Sequence, residues 1–336
     1  MTSPMKVLFI AGSGRSGSTI LSTVLGHLEG FVSIGELTHL WIGILENRPC
    51  GCAEPFHRCP FWGRILDPDL LDRRDVERAL AAKQRLIRQR VLGRLDAWRG
   101  NRGAFDEAAQ KYASVLGDVY RRIRGLTSCD VIVDSSHQPA HGYAVEHIPD
   151  TETFVIHIVR DSRAVAFSKT RLKPRMPEGW IHDEYMDRFG TTRSARDWVA
   201  VNLKTEYFWG ARGRTNYLRI RYEDFAAEPR NTIMRILEFL GEERDLGVFV
   251  DDHTARLDRP THHVEGNPVR FRSGEVRIRL DDEWSTAMPL KARLAVLGLT
   301  WPLLLRYGYP MSNGRRAERS AAAPPIAREA GVPRPD

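Results

Sequence analysis

The chain has 336 residues, of which 42% are hydrophobic and 28% are charged, and its formal net charge is +7. This composition is ordinary for a globular protein with a full core, and four cysteines are too few for a disulfide scaffold. The basic balance fits a protein that handles anions, without choosing between nucleotide, nucleic acid and anionic lipid. No signal peptide or apolar run of the ~20 residues that span a bilayer is visible, so we expect a soluble, cytoplasmic protein.

A glycine-rich loop lies between the first predicted strand and the first predicted helix. KVLFIA at residues 6–11 predicts a buried parallel strand, and residues 18–28 have apolar side chains at helical spacing. The loop, residues 12–19, has small residues where a backbone would approach phosphate oxygens, next to the N–H groups and positive dipole of a helix N-terminus. Its candidate ligand-binding residues are Gly14, Arg15, Ser16, Gly17, Ser18 and Thr19. A tight turn without a ligand is the alternative.

The next strand, FVSIG, ends at Glu36, and a cysteine cluster follows it. Cys50, Cys52 and Cys59 lie in CGCAEPFHRCPFW, with His57 between them. Thiolate and imidazole ligands suit tetrahedral zinc, so these residues are zinc candidates. The spacing lacks a second Cys-x-x-Cys half, and we favour a thiol-rich turn, with or without a disulfide.

Strands alternate with helices over most of the remaining chain. Residues 75–125 are helix-like and arginine-rich, and we expect a helical insertion at about 63–130 that packs over the sheet. Further strands are predicted at 131–134, 153–159 and 217–222, with helices at 162–173 and 229–240. This alternation predicts an α/β fold, a doubly wound, mainly parallel sheet flanked by helices. Ligands of such sheets bind beyond the carboxyl ends of the strands, where the polar motifs of this chain fall.

The C-terminal part contains one apolar segment and a biased tail. Residues 294–305 are interrupted by Pro302, and we expect a core-packing helix, with a membrane-surface role as the alternative. Residues 313–336 are rich in Ala, Pro and Arg, which predicts a disordered tail after a single domain of residues 1–312.

The glycine-rich loop alone fits three nucleotide classes. Gly12 and Gly17 have the spacing of the GxxxxGK[ST] loop of kinases and other nucleoside-triphosphate enzymes, but Ser18 replaces the lysine. Gly12, Gly14 and Gly17 also match the GxGxxG pattern of NAD(P)-dependent oxidoreductases, with Glu36 as a candidate ribose-binding acid. That pattern leaves Arg15 and the later IVRDSRAVAFSK segment unexplained.

The third class is supported by a resemblance to the sulfotransferases that use 3′-phosphoadenylyl sulfate (PAPS). Arg15-Ser16-Gly17-Ser18-Thr19 resembles the family's loop around the 5′-phosphosulfate, and the arginine is similar to the carbohydrate-type members. In IVRDSRAVAFSK, Arg160 and Ser168 correspond to the residues that hold the 3′-phosphate. An ion pair of Arg160 with Asp161 or Glu223 is the alternative for that residue. The resemblance implies a P-loop-like fold, PAPS as donor and 3′,5′-adenosine bisphosphate (PAP) as product.

Three further segments extend the resemblance to the family, and one of them, at residues 262–274, resembles bacterial members. RYEDF resembles the segment whose tyrosine, here Tyr222, approaches adenine, although a core aromatic is an equal alternative. Residues 262–274 resemble the loop that closes over the 3′-phosphate, with Arg270 and Arg272 as candidate cations. VIVDSSHQP has His137 where the family has lysine, which keeps open a nucleotide-binding scaffold without catalysis.

The resemblance implies transfer of a sulfo group to a hydroxyl of a carbohydrate, a glycolipid or another small molecule. The acceptor must lose a proton, and Glu36 is the first candidate base, with His39 second. Arg15 would stabilise the leaving phosphate, and His137 would donate to a sulfonate oxygen. Tryptophans could line an acceptor site, although core packing is more usual: Trp62, Trp98, Trp180, Trp198 and Trp209. We expect no metal requirement, nucleic-acid partner or transmembrane segment; peripheral membrane contact and the oligomeric state stay open.

Overall fold

The centre of the protein is a five-stranded parallel sheet. The computed structural model of the chain describes residues 4–66, 73–88, 102–175, 185–210 and 214–311. The strands are β1 (Met5–Gly12), β2 (Phe31–Gly35), β3 (Val131–His137), β4 (Thr151–Val159) and β5 (Tyr217–Arg221). Their order is β2-β3-β1-β4-β5, and every neighbouring pair is parallel. The predicted mainly parallel sheet flanked by helices is therefore confirmed.

Helices surround this sheet, and a small antiparallel pair of strands lies beside it. The α-helices are α1 (Ser18–Leu25), α2 (Leu40–Leu45), α3 (Trp62–Ile65), α4 (Arg73–Arg88), α5 (Arg102–Thr127), α6 (Pro139–Val145), α7 (Ser162–Thr170), α8 (Thr191–Phe208), α9 (Tyr222–Ala227), α10 (Pro229–Leu240), α11 (Trp284–Ala287) and α12 (Leu290–Arg306). The antiparallel pair consists of β6 (Thr254–Leu257) and β7 (Gly274–Arg277). Short 3₁₀ helices cover Leu37–His39, Phe56–Arg58 and Pro268–Phe271.

Alternate side chains of β1 enter two different hydrophobic cores. Val7 and Phe9 belong to the core under α2 to α6, whereas Leu8 and Ile10 belong to the core under α1 and α10. Successive side chains of a strand point to opposite faces, so a continuous apolar run fits a strand covered on both sides. The buried centre of β1 thus places the glycine-rich loop at the middle of the ligand-binding edge.

Several predicted elements have different ends in the structure. Helix α7 stops at Thr170, and Lys173 precedes Pro174, a position that disfavours helical backbone. Strand β3 continues through His137 instead of ending at residue 134, after a register irregularity against β1. Tyr222 begins α9 instead of closing β5, and Glu223 and Asp224 in the first turn suit the positive end of the helix.

The described parts of the expected insertion are helical. Helices α4 and α5 pack against each other, and α5 also packs against α6, which follows β3. The insertion boundaries and the division into one domain of residues 1–312 with a tail stay predictions, because residues 67–72, 89–101 and 312–336 lie outside the described residues.

Helix α12 is only partly the core-packing helix that we predicted. One side buries Val296, Leu303 and Leu304, but the opposite side exposes large apolar side chains. These exposed residues are Leu290, Leu294, Leu299, Trp301 and Leu305. Across the described ranges, no helix is long and apolar enough to cross a membrane.

Gly12, the last residue of β1, is required by its surroundings. Its φ is +139°, and a Cβ there would lie 2.2 Å from the carbonyl oxygen of Ile158 on β4. The Ile158 oxygen is a backbone atom of a central strand, so it cannot move aside as the end of a flexible side chain could. A side chain at position 12 would therefore push β1 and β4 apart.

We expect Gly12→Ala to lower the free energy of unfolding by about 2–4 kcal/mol, from backbone strain and the clash together. Urea unfolding of the full chain measures this change. Gly125→Ala in α5 is the matched control, because a Cβ there meets nothing within 4 Å. It should be neutral or stabilising by up to about 1 kcal/mol. Equal midpoints for both variants would contradict the expected clash.

Candidate active site

A large cleft lies at the carboxyl ends of β1, β3 and β4. Its volume is about 1450 Å³, and both acidic and basic side chains line it. Most predicted site residues line it: Gly14, Arg15, Gly17, Ser18, Thr19, Glu36, His39, His137, Arg160, Ser168, Tyr222 and Arg272. The fold therefore brings together residues that lie more than 250 positions apart in the chain.

The glycine-rich loop is held against the ring of Tyr222. Gly17 precedes α1 in left-handed conformation with φ of +85°, and a Cβ there would lie 2.5 Å from Cδ2 of Tyr222. Arg15 is also left-handed, with φ of +73°, and its side chain lines the cleft. The Ser16 hydroxyl is buried and has no hydrogen-bond partner among the described residues. Two left-handed residues in three make the loop turn sharply into the start of α1.

Arg160 connects the glycine-rich loop with a distant segment. Its Nη1 donates to the carbonyl oxygen of Arg15 at 3.0 Å, and its Nη2 donates to that of Asp281 at 2.6 Å. The Asp281 carboxylate lies 3.2 Å from Nη2, and the guanidinium lies 4.5 Å from the centre of the Tyr222 ring. Asp281, rather than Asp161 or Glu223, is thus the acidic partner of Arg160. The Nε of Arg160 is buried and has no hydrogen-bond partner among the described residues.

Ser168 on α7 lies beside basic residues that the sequence analysis missed. Lys173 Nζ donates to Ser168 Oγ at 3.4 Å, and burial lowers the pKa of this lysine below its usual range. Lys169, Arg171 and Arg175 also line the cleft. The available signal was the run RLKPR at residues 171–175, which overlaps the end of the predicted helix and adds three cations close to Ser168 in sequence. This side of the cleft is suited to an anion.

Glu36 faces the cleft from the end of β2. Its Oε2 lies 3.6 Å from His39 Nε2 and 3.8 Å from His137 Nδ1, and its side chain is 14% exposed. Burial raises the pKa of the Glu36 carboxyl; His137 opposes this shift, and Glu265 adds to it. The raised pKa makes the Glu36 carboxylate a stronger proton acceptor than a solvated glutamate, and the side chain still reaches the cleft.

His39 differs from Glu36 in its suitability as a base. Burial, followed by the positive charge of Lys83, lowers the pKa of His39 to about 3. The ring is therefore neutral near pH 7 and holds an added proton only weakly. Of the two predicted bases, the geometry and charge favour Glu36.

A buried polar network fixes the backbone next to Glu36. The Asp134 carboxylate accepts from Tyr120 at 2.6 Å and lies 3.0 Å from His141 Nε2. Ser136 also donates to Asp134, and Ser136 Oγ accepts the backbone N–H of Thr38 at 2.9 Å. Burial would raise the pKa of Asp134, but His141 and these hydrogen bonds hold it below its usual range. Because the network is fully buried, it can hold the ends of β2 and β3 in fixed positions.

Residues 261–272, the covering segment, cross the cleft beside the glycine-rich loop. The backbone N–H of Asn267 donates to Thr19 Oγ1 at 3.2 Å, which leaves the hydroxyl hydrogen of Thr19 available as a donor. A Cβ at Gly266 would lie 3.2 Å from the same oxygen. The covering segment therefore approaches the loop through backbone atoms.

The two arginines predicted for the covering segment occupy different positions. Arg272 is exposed and lines the cleft. Arg270 has a side chain only 1% exposed, and its Nη1 donates to Glu265 Oε1 at 3.1 Å and to the Gly266 carbonyl at 3.0 Å. The predicted direct contact of Arg270 with a phosphate is therefore not supported, because Glu265 already holds the guanidinium. Arg270 instead stabilises the covering segment.

Other candidates lie apart from the cleft. Trp62, Trp198 and Trp209 are fully buried in the hydrophobic cores, and Trp98 and Trp180 lie outside the described residues. His57 Nε2 contacts the carbonyl oxygen of Ile44 at 3.1 Å and does not join the cysteine cluster. These three buried tryptophans therefore serve packing, not acceptor binding.

Comparison with known proteins identifies a family over most of the chain. The family model described as "Sulfotransferase family" matches residues 8–245. The matched region includes the glycine-rich loop, Glu36, Arg160 and Tyr222, but not the covering segment. No curated protein matches the chain significantly.

Three solved structures resemble the chain at low identity. The sulfotransferase domain of the olefin synthase from Synechococcus PCC 7002 is 20% identical with a TM-score of 0.49, over 90% of this chain and 96% of that one. The sulfotransferase domain from the curacin biosynthetic pathway is 16% identical with a TM-score of 0.49, over 92% and 99%. A sulfotransferase from Mycobacterium avium is 14% identical with a TM-score of 0.45, over 94% and 79%. At these TM-scores, the likenesses add no argument to the family match.

The raised pKa of Glu36 predicts a pH-dependent stability difference. A carboxyl with a raised pKa binds its proton more tightly in the folded chain than in the unfolded chain. Its stabilising contribution is therefore full below the unfolded pKa, about 4.3, and is lost as the pH rises through the raised value. We expect the stability of the wild type relative to Glu36→Gln to decrease as the pH rises above about 4, as measured by urea unfolding.

Glu265→Gln is the matched control with the opposite sign. Burial would raise the pKa of Glu265, but Arg270 and Arg175 lower it below the usual range. Its contribution is therefore present above the unfolded pKa and is lost as the pH falls. Parallel pH dependences for the two variants would show that Glu36 is not shifted as described.

Proposed function

The chain belongs to the sulfotransferase family, and on that premise we propose that it transfers a sulfo group from PAPS to a hydroxyl group of a carbohydrate, glycolipid or other small-molecule acceptor. The observation that supports this best is the common cleft of the glycine-rich loop, Arg160 and Ser168. These groups follow β1 and β4, which are neighbouring parallel strands. Two separate anion-binding groups at one sheet edge suit a nucleotide with phosphate at both its 5′ and its 3′ positions.

The residues at the glycine-rich loop fit the phosphosulfate end of the donor. The start of α1 supplies backbone N–H groups, and the loop approaches closely because Gly14 and Gly17 have no side chains. The buried Ser16 hydroxyl, without a protein partner among the described residues, is a further available donor. Arg15 supplies the positive charge that the leaving phosphate requires.

The residues after β4 fit the 3′-phosphate. Two carbonyl oxygens and the ring of Tyr222 hold the planar side chain of Arg160, so little rotamer entropy is lost on binding. A 3′-phosphate would replace the Asp281 carboxylate beside Nη2, because the Asp281 side chain is 41% exposed, unlike Glu265 beside Arg270, which is 8% exposed. Ser168 and Lys173 lie together on the same side, and Arg272 is exposed at the edge. We propose that these residues hold the 3′-phosphate and that Tyr222 contacts the adenine at the cleft wall.

The other flank of the cleft suits a hydroxyl acceptor. Glu36, His39, His137 and Gln138 line it, and all four side chains can form hydrogen bonds. We propose that Glu36 removes the proton of the acceptor hydroxyl and that His137 donates a hydrogen bond to the transferred group. PAPS supplies the activated sulfo group, and the protein contributes position and charge. A flank of hydrogen-bonding side chains favours a polar, hydroxyl-rich acceptor such as a carbohydrate.

The topology argues against the dinucleotide alternative. In the dinucleotide-binding fold, the strand that carries the ribose-binding acid lies directly beside β1. Here β3 separates β2 from β1, so Glu36 is two strands away. For the kinase alternative, Ser18 still lacks the ammonium group that reaches the terminal phosphates.

Calorimetric titration with PAP tests the nucleotide assignment. We expect binding at tens of micromolar or better. Arg15→Ala and Arg160→Ala should each weaken it about 10–100-fold, because each removes a charge-assisted hydrogen bond. Arg121→Ala is the matched control, since Arg121 is an exposed arginine of α5 paired with Asp118. It should bind as the wild type does.

Other ligands distinguish the alternatives in the same experiment. Binding of NAD in place of PAP would favour an oxidoreductase, and magnesium-dependent ATP binding would favour a kinase. PAP affinity that is insensitive to both cleft arginines would refute the proposed site.

Kinetics of Glu36→Gln test the proposed base. With labelled PAPS and a panel of glycans, glycolipids and phenols, we expect turnover to fall about 100-fold or more. The dissociation constant of PAP should change less than about threefold, because the substitution keeps the shape of the side chain. His39→Gln, which changes the neighbouring candidate, should retain most of the turnover. Full turnover of Glu36→Gln would assign the base to another group, and no turnover of the wild type with any acceptor would favour a non-catalytic scaffold.

A further inference from the structure

Three cysteines and one histidine meet outside the cleft. The side chains of Cys50, Cys52, Cys59 and His262 place one potential ligand atom each within 4.8 Å of all the others. The cysteines lie in the loop between α2 and α3, whereas the histidine belongs to the covering segment. All four cysteines of the chain are free thiols.

Four of the six distances between these ligand atoms are close to the edges of a tetrahedron around zinc. Cys59 Sγ lies 3.5 Å from Cys50 Sγ and 3.6 Å from Cys52 Sγ. His262 Nδ1 lies 3.4 Å from Cys59 Sγ and 3.8 Å from Cys50 Sγ. With Zn–S of about 2.3 Å and Zn–N of about 2.0 Å, tetrahedral geometry requires about 3.8 Å between sulfurs and about 3.5 Å between sulfur and nitrogen. A disulfide would need about 2.05 Å between two sulfurs.

The surroundings hold the four side chains in place. The backbone N–H of Trp62 donates to Cys59 Sγ at 3.4 Å, and the Trp62 indole donates to the carbonyl oxygen of His262 at 2.8 Å. The ring of Phe61 stacks on His262, with centres 4.8 Å apart and planes within 6°. Cys50 and Cys59 are fully buried. Hydrogen bonds to a ligating sulfur and a fixed imidazole are typical of a metal's outer shell.

We propose that Cys50, Cys52, Cys59 and His262 bind one zinc ion in a closed, structural site. Three thiolates and one imidazole in tetrahedral arrangement are a common ligand set of structural zinc. Four protein ligands leave no position for a substrate, so the ion has no direct part in catalysis.

The proposed ion joins the cysteine loop to the covering segment. The cysteine loop and the covering segment are also joined by a hydrogen bond, in which the backbone N–H of Gly51 donates to the His263 carbonyl oxygen at 2.9 Å. A Cβ at Gly51 would lie 2.9 Å from the backbone nitrogen of His263 and 2.9 Å from the carbonyl oxygen of Thr261, so the two backbones approach closely. Five residues after His262, Asn267 contacts Thr19 of the glycine-rich loop. Loss of the ion should therefore loosen the covering segment where it crosses the cleft.

Metal analysis of the full, tag-free chain tests the site. Protein purified without chelators should contain about one zinc ion per chain, measured by inductively coupled plasma mass spectrometry. Cys59→Ser and His262→Ala should lose most of this zinc. Cys129→Ser and His57→Ala are matched controls, because Cys129 is a buried cysteine outside the cluster and His57 bonds to Ile44. Both controls should retain it.

Further measurements keep the proposal testable if Cys59→Ser does not fold. His262→Cys offers a fourth thiolate and should retain zinc. Cobalt(II) in the wild type should give the intense visible bands of a tetrahedral thiolate site. A strong chelator should lower the melting temperatures of the wild type and of Cys129→Ser, but not that of His262→Ala, which should already lack most of its zinc.

Three results would overturn the proposal. The first is folded wild type with less than about one tenth of the expected zinc. The second is a disulfide between two of the three clustered cysteines, detected by mass spectrometry after alkylation without reductant. The third is a folded Cys59→Ser variant with undiminished zinc. None of these results depends on PAP binding or turnover, so the zinc proposal and the proposed function fail separately.

Discussion

The close approach of the glycine-rich loop to β4 and Tyr222 is the constraint on which the cleft depends. Gly12 lies against the Ile158 carbonyl, and Gly17 lies against the Tyr222 ring, with no space for a Cβ at either position. Glycine gives up more conformational freedom on folding than other residues, so these positions carry a stability cost. In return, the backbone at the carboxyl end of β1 is left open to a ligand.

Arg160 extends this constraint to distant parts of the chain. It binds the backbone of Arg15 and of Asp281, and it packs on Tyr222. Burial lowers the pKa of the Arg15 guanidinium, and the positive charges of Arg175 and Arg160 add to this effect, while Glu36 opposes it. Several cations thus lie close together with partial neutralisation by acidic groups. An anionic ligand would reduce the repulsion between these cations. The positive charges are thus already in place in the cleft before a ligand binds.

The sequence allowed the sheet and most of the cleft to be predicted, because local patterns encode them. Each predicted strand is an apolar run, and polar residues follow it directly: Gly12 to Thr19, Glu36 or Arg160. In a parallel sheet these polar residues must lie at the same edge, however the helices pack. Contacts across the chain were not predictable in this way. Arg270 belongs to the right segment but is held by Glu265, and His262 joins cysteines about 200 positions earlier. Such pairings depend on where a loop crosses the fold, which no local period specifies.

The position of β1 between β3 and β4 divides the cleft into two flanks. Glu36 and His137 follow strands on one side, and Arg160 and Ser168 follow the strand on the other. Different contacts stabilise each flank. The buried Asp134 network holds the flank of Glu36, and the contacts of Arg160 with Asp281 and Tyr222 hold the other flank. Under the proposed function, recognition of the nucleotide and recognition of the acceptor are thereby separated in space on a shared central strand. Sequence drift on the β2–β3 flank could change the acceptor while the nucleotide half stays intact, which gives this architecture a route to new substrates.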